Sequence, residues 1–397
     1  MIKSMEISKI AGLVSNQMGL IDSSLEKLNS LTMEIASIAA PPFGEGERGK
    51  FIAEKFRDMG YPTMIDEVGN VIASTSLGSK NDAQDCIVIC AHLDTVFPEG
   101  TPLKIRRDGN RIFGPGVGDD SRGLANLLII AELLRKFQGK LPIYFIANVG
   151  EEGIGDLRGT KHIFFGSEHQ NRFAKIKYFI TIDSAGAGTI VSQSIGSKRY
   201  RIIFTGPGGH SFQHFGRANP VYALSNFIVS LKSLKLPKSV KTTYNVGLVE
   251  GGISVNAIPE KATCLVDVRS EDPDALLKLE QQIRNLVEKA KKVESTSSEG
   301  FIAASIEKIG DRPAGRCPEG KLLTNAIEVT KFFGVPVELK ASSTDANIPQ
   351  NLGIQGIAVS GSGLAGNAHS MDEWVDASNS SLLPLKRNFL LIVSLLV

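Results

Sequence analysis

Cysteine, tryptophan and excess charge of one sign are all scarce in this chain of 397 residues. There are four cysteines. Cys86 and Cys90 stand four apart on a strand-like run, about 13 Å at the usual rise, which is beyond disulfide reach. Cys264 and Cys317 lie far from them in sequence, so neither a disulfide framework nor a zinc knuckle is expected. No cysteine stands beside a histidine, which argues against a thiol nucleophile. A reducing, cytoplasmic setting fits this usage. Net charge is only +2, so neither a nucleic acid nor an anionic membrane surface is expected as a partner. No apolar run is long enough to span a bilayer. The C-terminal FLLIVSLLV (389–397) continues a helical pattern from Ser380, as a buried last helix would. The N-terminus lacks a continuous apolar h-region and a cleavage site, so no signal peptide is expected.

What is present is a globular composition, 42% hydrophobic and 22% charged, on a chain too long for one ordinary core. The pattern predicts an α/β fold. Apolar runs 86–92, 143–149 and 178–183 read as buried strands, and 121–137 between the first two reads as a helix. That alternation predicts a mainly parallel sheet flanked by helices. Around Gly196 the pattern changes. Strands 198–206, 242–249, 261–269 and 301–309, with helices 219–235 and 273–292, give the β-α-β-β-α-β order of a ferredoxin-like α+β unit. The expected division is a catalytic domain in two parts, 1–196 and 311–397, with an inserted lid and dimerisation domain at 197–310.

Acid or histidine groups recur where buried strands should stop: AHLD (91–94), GDD (118–120), GEE (150–152), TIDS (181–184) and NAHS (367–370). Ligands of an open parallel sheet sit beyond the carboxyl ends of its strands, so His92, Glu151, Glu152 and Asp183 should converge on one edge. Asp119 lies in a glycine-rich turn before a helix, and His369 follows GSGLAGNA. Imidazole and carboxylate suit zinc, manganese or cobalt, and two ions close together need a bridging carboxylate. His92 and Asp94 share a face of extended backbone, so the Asp94 carboxylate can orient the imidazole. Glu151 and Glu152 cannot both point the same way, so one can bind metal while the other faces substrate and water. One of Asp119 and Asp120 can cap the following helix while the other bridges.

In order and form these motifs resemble the di-zinc exopeptidase and deacylase family that includes peptidase T, carnosine dipeptidases, glutamate carboxypeptidase, aminoacylase and succinyl-diaminopimelate desuccinylase. The resemblance runs from about Leu31 to the C-terminus. It implies a zinc exopeptidase-like fold with two divalent ions, most simply zinc. His92 and Asp183 would hold one ion, Glu152 and His369 the other, and Asp119 would bridge. Glu151 would be the general base, Asp94 would orient His92, and the Asp119–Asp120 peptide would be cis. The segment TGPGGHSFQHFGRANP (205–220) resembles the family's lid histidine segment, which implies that His210 stabilises a developing oxyanion. The segment GGISVNAIPEKATCLVDVRS (251–270) implies substrate contacts from Asn256 and Arg269, and GSG (361–363) could offer N–H groups to a substrate carboxylate. His162, His169 and His214 read as surface or structural. A homodimer through the lid follows from the same resemblance.

Two departures bear on function. Ser121 and Arg122 stand where many relatives carry lysine after the paired aspartates, and the fourth station is Asp183 rather than glutamate. In that family aspartate there goes with aminopeptidase-like members and dipeptidases, while glutamate goes with carboxypeptidases and deacylases. The expected activity is therefore hydrolysis of short peptides by an aminopeptidase or di/tripeptidase. The alternative is an N-acyl amino acid deacylase or carboxypeptidase with the same site. A related aminopeptidase family also uses D-D-R and E-E patterns, but the ferredoxin-like insert speaks against it. A binding protein with a dead site would have lost ligands, and none is missing.

Overall fold

A computed structural model describes residues 4–77, 85–166, 175–183 and 185–397. It divides into two compact units, Met1–Ser194 with Arg316–Val397, and Ile195–Gly315.

The larger unit is built on a mixed sheet. At its centre the strands Ile143–Asn148, Cys86–His92, Ile176–Ile182 and Gln355–Val359 lie side by side and parallel. The short strands Thr63–Ile65 and Val71–Ala73 extend one margin antiparallel. At the other margin Thr189–Ser194 runs antiparallel to Gln355–Val359 and parallel to Glu338–Ser342. The expected parallel sheet is thus the central part of a mixed one.

Every residue of Cys86–His92 is buried because the strand feeds two cores. Ile87, Ile89 and Ala91 enter the main core with the helices Leu25–Ala36, Gly46–Asp58, Arg122–Leu134, Lys321–Phe332 and Leu382–Leu396. Cys86, Val88 and Cys90 enter a smaller core on the opposite face with Ile163. A two-residue period with both faces apolar leaves no polar side, and this makes the run continuous in sequence. The final helix Leu382–Leu396 is buried along nearly its whole length. Among the described residues no helix is long and apolar enough to cross a membrane.

The smaller unit is a four-stranded antiparallel sheet in the order Thr242–Gly251, Lys261–Ser270, Gly196–Thr205, Ala303–Arg312. Helices Pro220–Lys232 and Pro273–Ser297 supply its core with Leu224, Phe227, Leu279 and Ile283. Chain order and strand order are those of the ferredoxin-like split β-α-β. The second helix starts on proline behind the Asp272 cap, whose carboxylate accepts the Ala275 N–H at 2.7 Å. It runs to Ser297, beyond the expected end near 292, because Glu294 is buried and accepts the Asn219 N–H at 2.9 Å.

Candidate metal centre

The central strands deliver three of the acid and histidine groups to neighbouring carboxyl ends. His92 closes its strand and pairs with Asn148 across the ladder. Glu151 and Glu152 follow Asn148 by a short turn, and Asp183 follows Ile182, its N–H donating to the Val359 carbonyl at 2.9 Å. Asp119 lies in the irregular turn Val117–Ser121, where the Asp119–Asp120 peptide is cis. His369 has a left-handed backbone, φ +65°.

His92 is fully buried. Its Nδ1 lies 2.9 Å from the Asp94 main-chain oxygen and its Nε2 lies 2.9 Å from Asp119 Oδ1. Donation from Nδ1 to the carbonyl presents Nε2 as the free lone pair for a cation. The Asp94 carboxylate, to which the sequence assigned that orienting contact, lies farther from the ring. The carboxylate lies 3.6 Å from Nδ1 and instead accepts the N–H groups of Glu151 and Glu152 at 2.9 and 2.8 Å. A buried anion beside two otherwise orphaned turn amides is best satisfied by them. Asp94 thereby ties the end of the His92 strand to the glutamate turn.

Asp119 stands between the two histidines, with Oδ2 3.0 Å from His369 Nε2. Glu152 Oε1 is 3.2 Å from the same nitrogen. Ligand atoms of His92, Asp119 and Asp183 lie within 4.8 Å of one another, as do those of Asp119, Glu152 and His369, and those of His92, Glu151 and Glu152. Two donors on one tetrahedral zinc are about 3.3 Å apart, so these spacings fit a cation in each of two triads that share Asp119. Asp120 turns the other way. Its carboxylate accepts the Gly123 N–H at 3.1 Å and the His92 N–H at 3.2 Å, which caps the helix Arg122–Leu134. Gly123 is obligatory there, since a Cβ would lie 2.1 Å from Asp120 Oδ1 and 2.2 Å from the Ile182 oxygen.

The electrostatics fit the same donor set. Burial, then the negative charge of Asp119, pushes the Asp183 carboxyl up to about 7. Burial also holds the Asp120 carboxyl well above its ordinary range. Hydrogen bonds to Asp119 and Glu152 raise His369 to about 10. Burial opposes a charge on His92, but its contacts with Asp119 and Asp94 outweigh that and raise it. Crowded carboxylates that resist ionising together make an anionic site that divalent ions would neutralise, displacing the protons the imidazoles otherwise hold.

Residues 194–295 match the peptidase dimerisation domain, and residues 70–209 match peptidase family M28. The chain carries M20/M28 peptidase domains. This peptidase is 27% identical over 346 residues to the Bacillus subtilis (strain 168) protein YqjE, covering 81% of the chain and 86% of the relative. It is 25% identical over 314 residues to carboxypeptidase G2 from Pseudomonas sp. (strain RS-16), covering 73% of the chain and 69% of the relative. Its fold matches the crystal structure of aminopeptidase PepT from Bacillus cereus ATCC 10987 with a TM-score of 0.72 and 21% identity, over 93% of this chain and 98% of that one. The molecule is a hydrolase acting on peptide bonds.

Beside Asp119 and Asp183 the peptidase has a pocket of about 300 Å³ whose other walls include Ala185, Ala365, Gly366 and Ala368. Small walls keep the space next to the candidate metal ligands open. One other expectation is revised. The N–H groups of Ser362 and Gly363 point at Ser360 Oγ, 3.3 and 3.2 Å away, so they are not free for a substrate carboxylate. Arg269 donates to Asp267 at 2.9 Å. It lies eight positions along its strand from Lys261, roughly 25 Å.

In the smaller unit His210 and Asn256 meet at one short antiparallel ladder, where His210 pairs with Ala257. Both are exposed. The His210 Nδ1 faces the N–H of Phe212 at 3.3 Å, and Asn256 Oδ1 accepts from Ser254 at 2.6 Å. His214 accepts the His210 N–H at 3.0 Å, and His162 lies 2.8 Å from Glu67. His169 falls outside the described residues.

Two buried acids escaped the sequence reading. Asp345, from the segment ASSTDANI (341–348), accepts from Thr160 at 2.5 Å and Asn148 at 2.7 Å, and burial raises its carboxyl. Glu373 sits four residues after His369. Burial and the charge of Asp119 push it up to about 7. Its only sequence signal is a carboxylate placed just before a short strand.

Proposed function

We propose that this peptidase is a two-metal exopeptidase of short peptides with a free amino terminus. The observation that carries the reading is Asp119, whose two carboxylate oxygens each face a different histidine, with Glu152 and Asp183 completing the two triads. His92, Asp119 and Asp183 would hold one ion, and Asp119, Glu152 and His369 the other. Zinc suits the mixed imidazole and carboxylate donors best, with manganese or cobalt as alternatives. Two such ions supply Lewis acidity toward the scissile carbonyl and lower the pKa of water to near neutral. Glu151 takes a proton from the attacking water and returns it to the leaving amine. Asp94 holds the Glu151–Glu152 turn in place. His210, Asn256 and Arg269 are the proposed substrate contacts of the lid.

The peptidase dimerisation domain supports a homodimer through the smaller unit. So do the exposed apolar side chains there, among them Tyr222 and Val229 of Pro220–Lys232 and Leu248 and Val249 of the edge strand. The charge balance and cysteine usage support a cytoplasmic setting.

A second reading, a carboxypeptidase or N-acyl amino acid deacylase on the same site, is favoured by the likeness to carboxypeptidase G2. One tripeptide, free and N-acetylated, separates them by mass spectrometry with and without chelator. Chelator-sensitive loss of the first residue from the free form alone is expected. Cleavage of only the blocked form, or loss from the carboxyl end, would replace the first reading by the second.

A further inference from the structure

We infer that Glu373 is a positioning residue that fixes the distance between the candidate ligands Asp119 and His369, and so sets the affinity of the site for its ions. The inference rests on the two-metal reading.

Glu373 is 2% exposed. Its carboxylate accepts three main-chain N–H groups of the turn that carries Asp119. Oε2 accepts from Gly116 at 2.7 Å, and Oε1 accepts from Gly118 at 2.8 Å and Asp119 at 2.9 Å. The turn holds these amides outside any helix or strand ladder, so without Glu373 one buried and two half-buried donors would lose their partner. The fit is close, because a Cβ on Gly118 would lie 2.8 Å from Glu373 Oε1.

The other end of the strut is anchored to the histidine. Glu373 lies four residues after His369, and its own N–H donates to the Ser370 carbonyl at 3.2 Å. Its carbonyl accepts the Gly114 N–H at 2.9 Å, and Trp374 then pairs with Phe113. One residue therefore joins the His369 segment to the Asp119 turn through its side chain and its backbone together. Asp119 and His369 come from positions 250 apart in sequence and meet at 3.0 Å. Glu373 also lines the pocket beside Asp119 and Asp183, where its charge adds to the field that favours a cation.

The test uses Zn²⁺ alone as probe. Metal-free wild type, Glu373→Gln and Glu373→Ala are titrated with Zn²⁺ against a chromophoric chelator, and Tm is recorded with and without the ion. Partners behind a metal ligand are worth about 10- to 100-fold in affinity. Glu373→Gln keeps the shape but turns an amide donor toward one of the N–H groups, so about 10-fold weaker binding is expected. Glu373→Ala is expected near 100-fold, and both should lose part of the Tm rise on adding Zn²⁺. Wild-type affinity in the glutamine variant, or a lower metal-free Tm with unchanged affinity in both, would overturn the inference. If the alanine variant does not fold, the glutamine variant alone decides. Wild type that takes up no Zn²⁺ would remove the two-metal reading and this inference with it.

Discussion

Glu151 and Glu152 are adjacent in sequence and differ in what they face. Glu152 reaches His369 at 3.2 Å, while a Glu151 oxygen groups with His92 and Glu152. Asp94 holds both of their amides, so the turn cannot rotate to exchange them. Replacing the proposed base by its amide keeps the size of the group and removes its proton affinity. Glu151→Gln is therefore expected to bind two ions as wild type does and to lose about 10²- to 10⁴-fold in kcat. Normal turnover in that variant would remove the base assignment. The proposed ligands were legible because each follows an apolar run or a glycine-rich approach. Glu373 and Asp345 were not, since a carboxylate that serves backbone amides or a buried asparagine has no motif of its own.

At the scale of elements, long runs read well and short ones did not. The strands of the central sheet and the helices of the main core carry a clear period over five residues or more. The small sheet made of Arg106–Asp108, Arg111–Phe113, Trp374–Asp376 and Ala365–Gly366 has no strand longer than three residues, too few for any period to register. Yet that sheet flanks both the Asp119 turn and the His369 segment. Packing rather than propensity makes it, with the Arg111 guanidinium 3.9 Å over the Trp374 ring. In the smaller unit, Glu280 on the helix Pro273–Ser297 pairs with Lys198 on the strand Gly196–Thr205 and with Arg284 at 2.8 Å. Burial opposes its ionisation, but the two cations outweigh that and lower its carboxyl to about 2. A depressed folded pKa means stability that is present above the unfolded value, about 4.3, and lost as pH falls toward 2. Denaturant midpoints of wild type and Glu280→Gln should therefore differ at pH 6 and converge on acidification through that window. A constant gap across it would mean that the pair does not link helix to strand.

At the scale of the whole molecule, the alternation of strands and helices up to about residue 190 and the change of pattern after Gly196 made the α/β fold and its ferredoxin-like insert readable. The antiparallel margins of the main sheet were not readable, because direction depends on which strands become neighbours. Whether an amino or a carboxyl terminus enters the site is written in the ligands only at Asp183, since both kinds of exopeptidase share the others. The two-ion requirement is common to either direction of attack. Its most direct test titrates metal-free protein with Zn²⁺ while cleavage of a free tripeptide is followed. Turnover should be absent without metal and reach its plateau at two ions per chain. A plateau at one ion, or full turnover in chelator, would contradict a site bridged by Asp119.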